Sequence, residues 1–229
     1  SYLGDRRHND RWPDVSIKAI NRRHAHRRVV LKQLAAIDRK VLAPGDRLNY
    51  DLFRREFAVS VESHAYRWFL VPLTARDGIQ DASSTADVVR FEQVEDFRQW
   101  LERLRGFGQY MDQTITLMKV GLKERRVHDR EVMVRVPAQI ARQIVEDPRK
   151  SLFFKPFRNF PETVSLADRK SLESRASKAI SEVVVPAYRR LQKFFNDSYL
   201  PGCFARAGVW QIPRGKEFYA FRCRRFTTT

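Results

Sequence analysis

The stretch FRQWLERLRGFGQYMDQTITLMKVGL, residues 97–122, decides the fold. Apolar or small residues recur in it at alternating spacings of four and three: Phe97, Leu101, Leu104, Gly108, Met111, Ile115, Met118 and Leu122. This spacing follows the 3.6-residue turn of an α-helix and places all of these residues on one stripe. The stretch therefore predicts one long helix whose stripe lies in the core, and its Met residues are interpreted as packing groups and not as part of a cofactor site.

Weaker helical periodicity precedes this stretch. Ser16, a good N-cap, predicts a first helix that ends near Arg39, and residues 43–46 then predict a turn. A second helix is predicted because apolar and aromatic residues keep helical spacing through Leu48, Leu52, Phe53, Phe57, Val61, His64 and Trp68. Pro72 and the polar residues 74–85 interrupt the pattern, which predicts one long irregular loop around residues 69–94.

The second half of the sequence is also helical in pattern. Four Phe residues within 151–160 are interpreted as an anchor that holds a connection in the core. Ser165 and Asp168 resemble a capping box at the start of the longest helix, in which Pro186 predicts a kink or two helices meeting end to end. Because almost no segment alternates polar and apolar residues, the sequence predicts an all-α fold, an irregular bundle of long helices in which residues 1–229 form a single helical unit.

The chain is strongly basic. Its 229 residues include 44 Lys and Arg against 27 Asp and Glu, which gives a formal net charge of +17 and a sequence pI near 10.4. Such a surface attracts polyanions, so nucleic acid is a possible partner. The basic residues are spread along every segment, however, and this favours a solvated basic surface. No apolar run approaches the ~20 residues needed to cross a bilayer, so no membrane span is predicted, and the pattern leaves localisation open.

The sequence contains no recognisable catalytic or metal motif. It has no Gly-x-Ser-x-Gly, no Cys-x-x-Cys and no His-Glu-x-x-His. His24 and His26 are close in sequence but point about 200° apart around a helix, and the Arg residues of 22–28 occupy successive positions that wrap around it. Cys203 and Cys223 are interpreted as ordinary thiols, with a single disulfide as the alternative. We therefore predict no catalytic residue, metal ligand or cofactor within this chain.

Several segments resemble, in order, the first half of a bacterial family known as domain of unknown function 885. The segments are residues 2–16, 154–161, 185–191 and 199–201, and a tail with Gly215, Phe218, Tyr219, Arg224 and Thr227 to Thr229. In this family a Gly, a pair of aromatic residues, an Arg and a run of Thr lead into the next helix. The sequence departs from the family at Phe226, where His or Tyr is common.

The resemblance implies a mostly helical protein related to zinc metallopeptidases. In such proteins a His-Glu-x-x-His-like helix in the second half binds zinc and supplies the general base, so the zinc, the peptide substrate and the hydrolase activity are implied for the complete protein. We therefore expect this chain to be an N-terminal fragment, its threonines to cap a helix of the missing C-terminal catalytic half, and its helices to wall the substrate cleft. By that analogy Tyr219, Arg222 and Arg224 are candidate cleft residues.

Two other hypotheses come from different classes of protein. The charge of +17 is compatible with a basic helical module that binds nucleic acid or another polyanion. The second hypothesis is an interaction scaffold. A fragment would expose the apolar surface that its missing half should cover, and such a surface binds other proteins. Salt-dependent binding to DNA distinguishes the first, and self-association in light scattering distinguishes the second.

Overall fold

The computed structural model describes residues 6–227, and within that range it contains helices and turns without a β-strand. The predicted all-α fold is confirmed. Residues 2–5 of the first family segment, and Thr228 and Thr229 of the predicted cap, lie outside the described residues. The α-helices are α1 Ile17–Ala35, α2 Pro44–His64, α3 Thr85–Val88, α4 Val94–Arg105, α5 Phe107–Lys123, α6 Arg130–Met133, α7 Val136–Ala141, α8 Leu166–Ala179, α9 Val185–Phe194, α10 Leu200–Gly202 and α11 Gly215–Phe226.

Helices α4, α5, α8 and α9 form the centre of a region that we call the body. Helix α4 packs against α8, and α5 packs against α9. The predicted stripe faces this core, since most of its members are buried while Gly108 and Leu122 are half-buried. The largest side chains in the body have no exposed surface: Trp100, Phe107, Phe153, Tyr188 and Tyr199.

The stripe is divided between two helices, so the prediction of one continuous helix was wrong. Helix α4 ends at Arg105 and α5 begins at Phe107, with Gly106 between them. Two causes act at this point: glycine has a low helix propensity, and the indole Nε1 of Trp12 donates a hydrogen bond of 2.7 Å to the carbonyl oxygen of Arg103. That carbonyl belongs to the last turn of α4, so an outside donor satisfies it.

The longest helical run, residues 166–202, contains two π-helical turns. Ser165 caps its start, since its hydroxyl oxygen accepts a hydrogen bond from the backbone N–H of Asp168 at 3.1 Å. The first π-helical turn, Ile180–Val184, immediately precedes α9, and Pro186 lies in the first turn of α9. Pro186 has no N–H to donate, and the wider π turn accommodates this in place of a sharp break.

Two irregular connections are held in the body by aromatic and polar contacts. The Phe-rich segment forms the 3-10 helix Leu152–Arg158, in which Phe153, Phe154 and Phe157 are buried as predicted. The predicted loop around residues 69–94 contains the 3-10 helix Ile79–Ser84 as well as α3. It is pinned to α9, because the Tyr188 hydroxyl donates to the Ile79 carbonyl at 2.8 Å.

Helices α1 and α2 pair with each other to form a hairpin that we call the arm, residues 17–64. Helix α1 buries Ala19 and Leu34, and α2 has no buried residue. The predicted boundaries were wrong here: α1 ends at Ala35, not near Arg39, and the predicted turn at 43–46 is the start of α2. Pro44 occupies the first helical position, where its missing N–H and fixed φ are favourable.

Both cysteines are free thiols. Cys203 is buried and Cys223 is half-buried. Burial raises the pKa of the Cys203 thiol to about 12, so this thiol stays protonated at neutral pH. Within residues 6–227, no helix is both long and apolar enough to cross a membrane.

Candidate functional site

The last helix, α11, starts where the backbone passes very close to the preceding 3-10 helix, Val209–Gln211. A Cβ atom on Gly215 would lie 2.0 Å from the carbonyl oxygen of Val209 and 2.8 Å from the Cα of Trp210. Only glycine fits such an approach without displacing the backbone. Gly215 therefore fixes the position of α11 against the rest of the chain.

One face of α11 combines buried aromatic residues with arginines. Phe218 and Phe221 are buried, and their ring centroids lie 5.4 and 5.0 Å, respectively, from the ring centroid of Tyr66. Phe218 also stacks on Trp68, with the ring centroids 5.0 Å apart. Arg222 and Arg225 follow Phe218 by four and seven residues, so they lie on the same side of the helix. This face closes one side of a pocket.

The pocket lies between the arm and α11 and has a volume of about 320 Å³. Among the described residues that line it, four are arginines and none is Asp or Glu. We call this cavity the basic pocket. It is lined by Ile20, Arg23, Arg27, Ser60, Ser63, His64, Trp68, Phe69, Phe218, Phe221, Arg222 and Arg225.

A pair of histidines joins the two helices of the arm beside the basic pocket. The rings of His24 and His64 stack with centroids 3.8 Å apart and an interplanar angle of 17°. His64 Nε2 lies 3.2 Å from Oδ1 of Asn21. Burial lowers the pKa of both imidazoles, and nearby charges lower it further, including Arg27 for both. Both rings are therefore neutral at pH 7.

The predicted cleft residues do not share one environment. Arg222 lines the basic pocket, whereas Tyr219 is 61% exposed and does not. The Arg224 guanidinium is 2.6 Å from Glu62 on α2. At about 100° per residue, Tyr219 lies about 60° and Arg224 about 160° from Arg222 around the helix axis, so the three residues do not share one face. Phe226 is exposed, and the guanidinium carbons of Arg222 and Arg225 lie 4.7 and 5.1 Å from its ring centroid.

Sequence reasoning missed three arginines of the basic pocket. Arg225 has the same helical phase as Phe218 and Arg222, which is a usable signal. Arg23 and Arg27 were interpreted as part of a run that wraps around α1. Residues four apart share a helix face, and these two both line the pocket. No pattern in the sequence predicts that α11 packs beside the arm.

The described residues do not fit a zinc site. Nowhere in residues 6–227 do three His, Cys, Asp or Glu side chains come close enough to hold a metal ion. Within the same described range, no carboxylate or thiolate lies beside the stacked His24 and His64 to complete a set of ligands.

The geometry defines an all-α protein with an arginine-lined pocket, and a solved structure shares its fold. That structure, described as the "putative lipoprotein from Colwellia psychrerythraea", has a TM-score of 0.78 and 14% identity, over 91% of this chain and 38% of that chain. At this identity the likeness shows the fold alone. The model of a family described as "Bacterial protein of unknown function (DUF885)" matches residues 1–229, so the chain belongs to that family. No curated protein matches the chain significantly.

Proposed function

We propose that this chain is the N-terminal, non-catalytic helical portion of a protein related to zinc metallopeptidases, and that it walls one side of the substrate cleft. In this proposal residues 1–229 act as a single helical unit, and the rest of the complete protein supplies the zinc ligands and the general base. Peptide is the substrate of the complete protein.

The length relationship carries the proposal. The chain spans 38% of the structure whose fold it shares, although that structure covers 91% of this chain. The matched region is thus a minority of that longer structure. Family membership is compatible with this division but does not by itself assign an activity.

The surface of the arm supports a position against another part of the protein. Leu48, Leu52 and Phe53 on α2 are 61%, 55% and 48% exposed. Apolar side chains grouped on one helix are more typical of a contact surface than of a fully solvated one. The basic pocket opens beside the same helix and gives the proposed wall a polar binding element.

Metal analysis and peptide cleavage test the proposal on two proteins, this chain alone and a complete family member that contains it. We expect stoichiometric zinc and cleavage in the complete protein and neither in the isolated chain. Stoichiometric zinc in the isolated chain would contradict the placement of the zinc ligands elsewhere, and turnover would show that this chain is catalytic. A complete protein without zinc and without cleavage would remove the link to metallopeptidases.

A further inference from the structure

The arginines of the basic pocket have little compensating negative charge. Among residues 6–227, Arg27, Arg222 and Arg225 form no salt bridge, and Arg23 donates to the backbone carbonyl of Asp14 at 2.8 Å. Glu62, which precedes the lining residue Ser63 on α2, already pairs with Arg224, and Arg224 lies outside the lining. Several cations close together repel one another, so an anion that enters the pocket gains favourable interactions with all of them.

The remaining polar groups of the basic pocket are neutral. The Ser63 hydroxyl donates to the Ser60 carbonyl at 2.8 Å, and His64 is neutral because burial lowers its pKa. Neutral hydroxyls and an imidazole are able to hydrogen-bond an oxyanion without adding a competing negative charge. No polar group among the described lining residues therefore carries a negative charge that would oppose an anion.

Aromatic rings form the other part of the wall. Trp68 and Phe218 are stacked at 5.0 Å, and Phe69 lies 5.3 Å from His64. A wall of this kind favours a ligand that has an apolar or flat part attached to its charged group. The volume of about 320 Å³ fits a small molecule or the end of a chain, and a nucleic acid duplex is far too wide to enter.

We propose that the basic pocket binds a small organic anion, a carboxylate or a phosphate ester carried by an apolar group. Arg27 on α1 and Arg222 and Arg225 on α11 hold the oxyanion from two sides, because guanidinium groups bind planar carboxylate and phosphate oxygens in a bidentate manner. The apolar group lies against the aromatic wall. The site belongs to this chain alone and does not require the proposed cleft or any zinc.

Calorimetric titration of the chain tests this with three probes. Phenyl phosphate carries a phosphate ester on an aromatic ring, hippurate carries a carboxylate joined to such a ring through a glycyl amide, and hippuramide is the neutral match for hippurate. We expect at least one anion to bind and hippuramide not to bind. The tighter of the two identifies the anionic group. Failure of both anions to bind at millimolar concentration, or equal binding of hippuramide, would overturn the proposal.

A pair of double variants separates the pocket from the overall charge. R222Q/R225Q removes two pocket arginines, and R142Q/R175Q removes two exposed arginines outside the lining. We expect the first to weaken binding by about tenfold or more and the second to change it by less than about twofold. Equal losses in both variants would show that long-range charge alone attracts the anion.

Folding and competition controls keep the result interpretable. Circular dichroism and thermal melting check that R222Q/R225Q folds, and R27Q tests the opposite wall of the pocket if it does not. We expect R27Q also to weaken binding severalfold. A short DNA duplex at low salt is the competitor. If the duplex displaces the bound anion, and if both double variants lose this displacement equally, the proposal is overturned in favour of a polyanion-binding surface.

Discussion

The arm and the body are both helical, but they bury very different amounts of surface. Phe107 in the body is fully buried and packs against Phe153 and Tyr188, each with a ring centroid 5.2 Å away. Phe53 in the arm is 48% exposed and has one aromatic neighbour, Phe57, at 4.6 Å. Since burial of apolar surface is the main stabilising term, the body stabilises the fold and the arm depends on it. The basic pocket lies between the arm and α11.

Alanine substitution of the two Phe residues gives the largest contrast. We expect Phe107→Ala to lower the free energy of unfolding by about 3–5 kcal/mol, because it leaves a cavity among rings that do not readily collapse. The matched change Phe53→Ala should cost less than about 1 kcal/mol, because its ring is already half in water. Chemical denaturation of both variants measures these values, and comparable losses would mean that the arm is as well packed as the body.

Two glycines extend the comparison to the backbone. Gly215→Ala should destabilise by about 1–3 kcal/mol and weaken anion binding, because α11 must move away from Val209. Gly45→Ala on the arm is the matched control, since no atom lies within 4 Å of the added methyl group. It should be neutral or stabilising by up to about 1 kcal/mol. A harmless Gly215→Ala would show that α11 is not fixed by this contact.

The stacked histidines predict that the arm is sensitive to acid. The folded-state pKa of His24 and of His64 lies below the ordinary value of 6.5, so the unfolded arm binds protons more readily. The two neutral imidazoles contribute fully to the stability of the arm above pH 6.5, and this contribution falls as the pH drops below that value. We expect the loss in free energy of unfolding to be smaller than that for Gly215→Ala. Amide hydrogen exchange at pH 7.5 and 5.5, corrected for intrinsic rates, should show extra opening in α1 and α2 but not in α5.

The variant H64Q is the control for this pH dependence. It removes one titrating ring, so the acid-induced opening of the arm should diminish. Unchanged pH dependence in H64Q would assign the effect to other groups.

The smallest effect is expected for the ion pair between α11 and the arm. Arg224 and Glu62 are 2.6 Å apart, but their side chains are 56% and 45% exposed. Water and salt weaken such a pair, so a double-mutant cycle with R224Q and E62Q should give a coupling of about 0.2–1 kcal/mol. A coupling well above this range would make the pair a main attachment of the arm.

The body was predictable from the sequence to a greater extent than the arm or the site. The stripe from Phe97 to Leu122 is buried because a strong four-three pattern specifies a core face, although the break at Gly106 depends on a distant donor, Trp12. The pattern in α2 indicates which residues share a face but not whether anything covers it, and Leu48 and Phe53 are exposed. Periodicity is a local property, whereas coverage is a tertiary one.

The site was predictable in part, and for the same reason. Arg222 was selected by resemblance to a family, and it lines the basic pocket. Its partners Arg23 and Arg27 come from the other end of the chain, and the contact between His24 and His64 joins residues 40 positions apart. Roles for Tyr219, Arg222 and Arg224 in a cleft remain predictions, as does the zinc of the complete protein.

The central claim is that a weakly buried arm and α11 form an anion-binding pocket. Amide hydrogen exchange with and without the bound anion is its most direct test. The measurement uses the intact chain with phenyl phosphate or hippurate, whichever binds tighter, at saturation. We expect protection to increase in α1, α2 and α11 and to change little in α4, α5 and α9. Unchanged protection in the arm at saturation, or an increase spread evenly through the body, would contradict it.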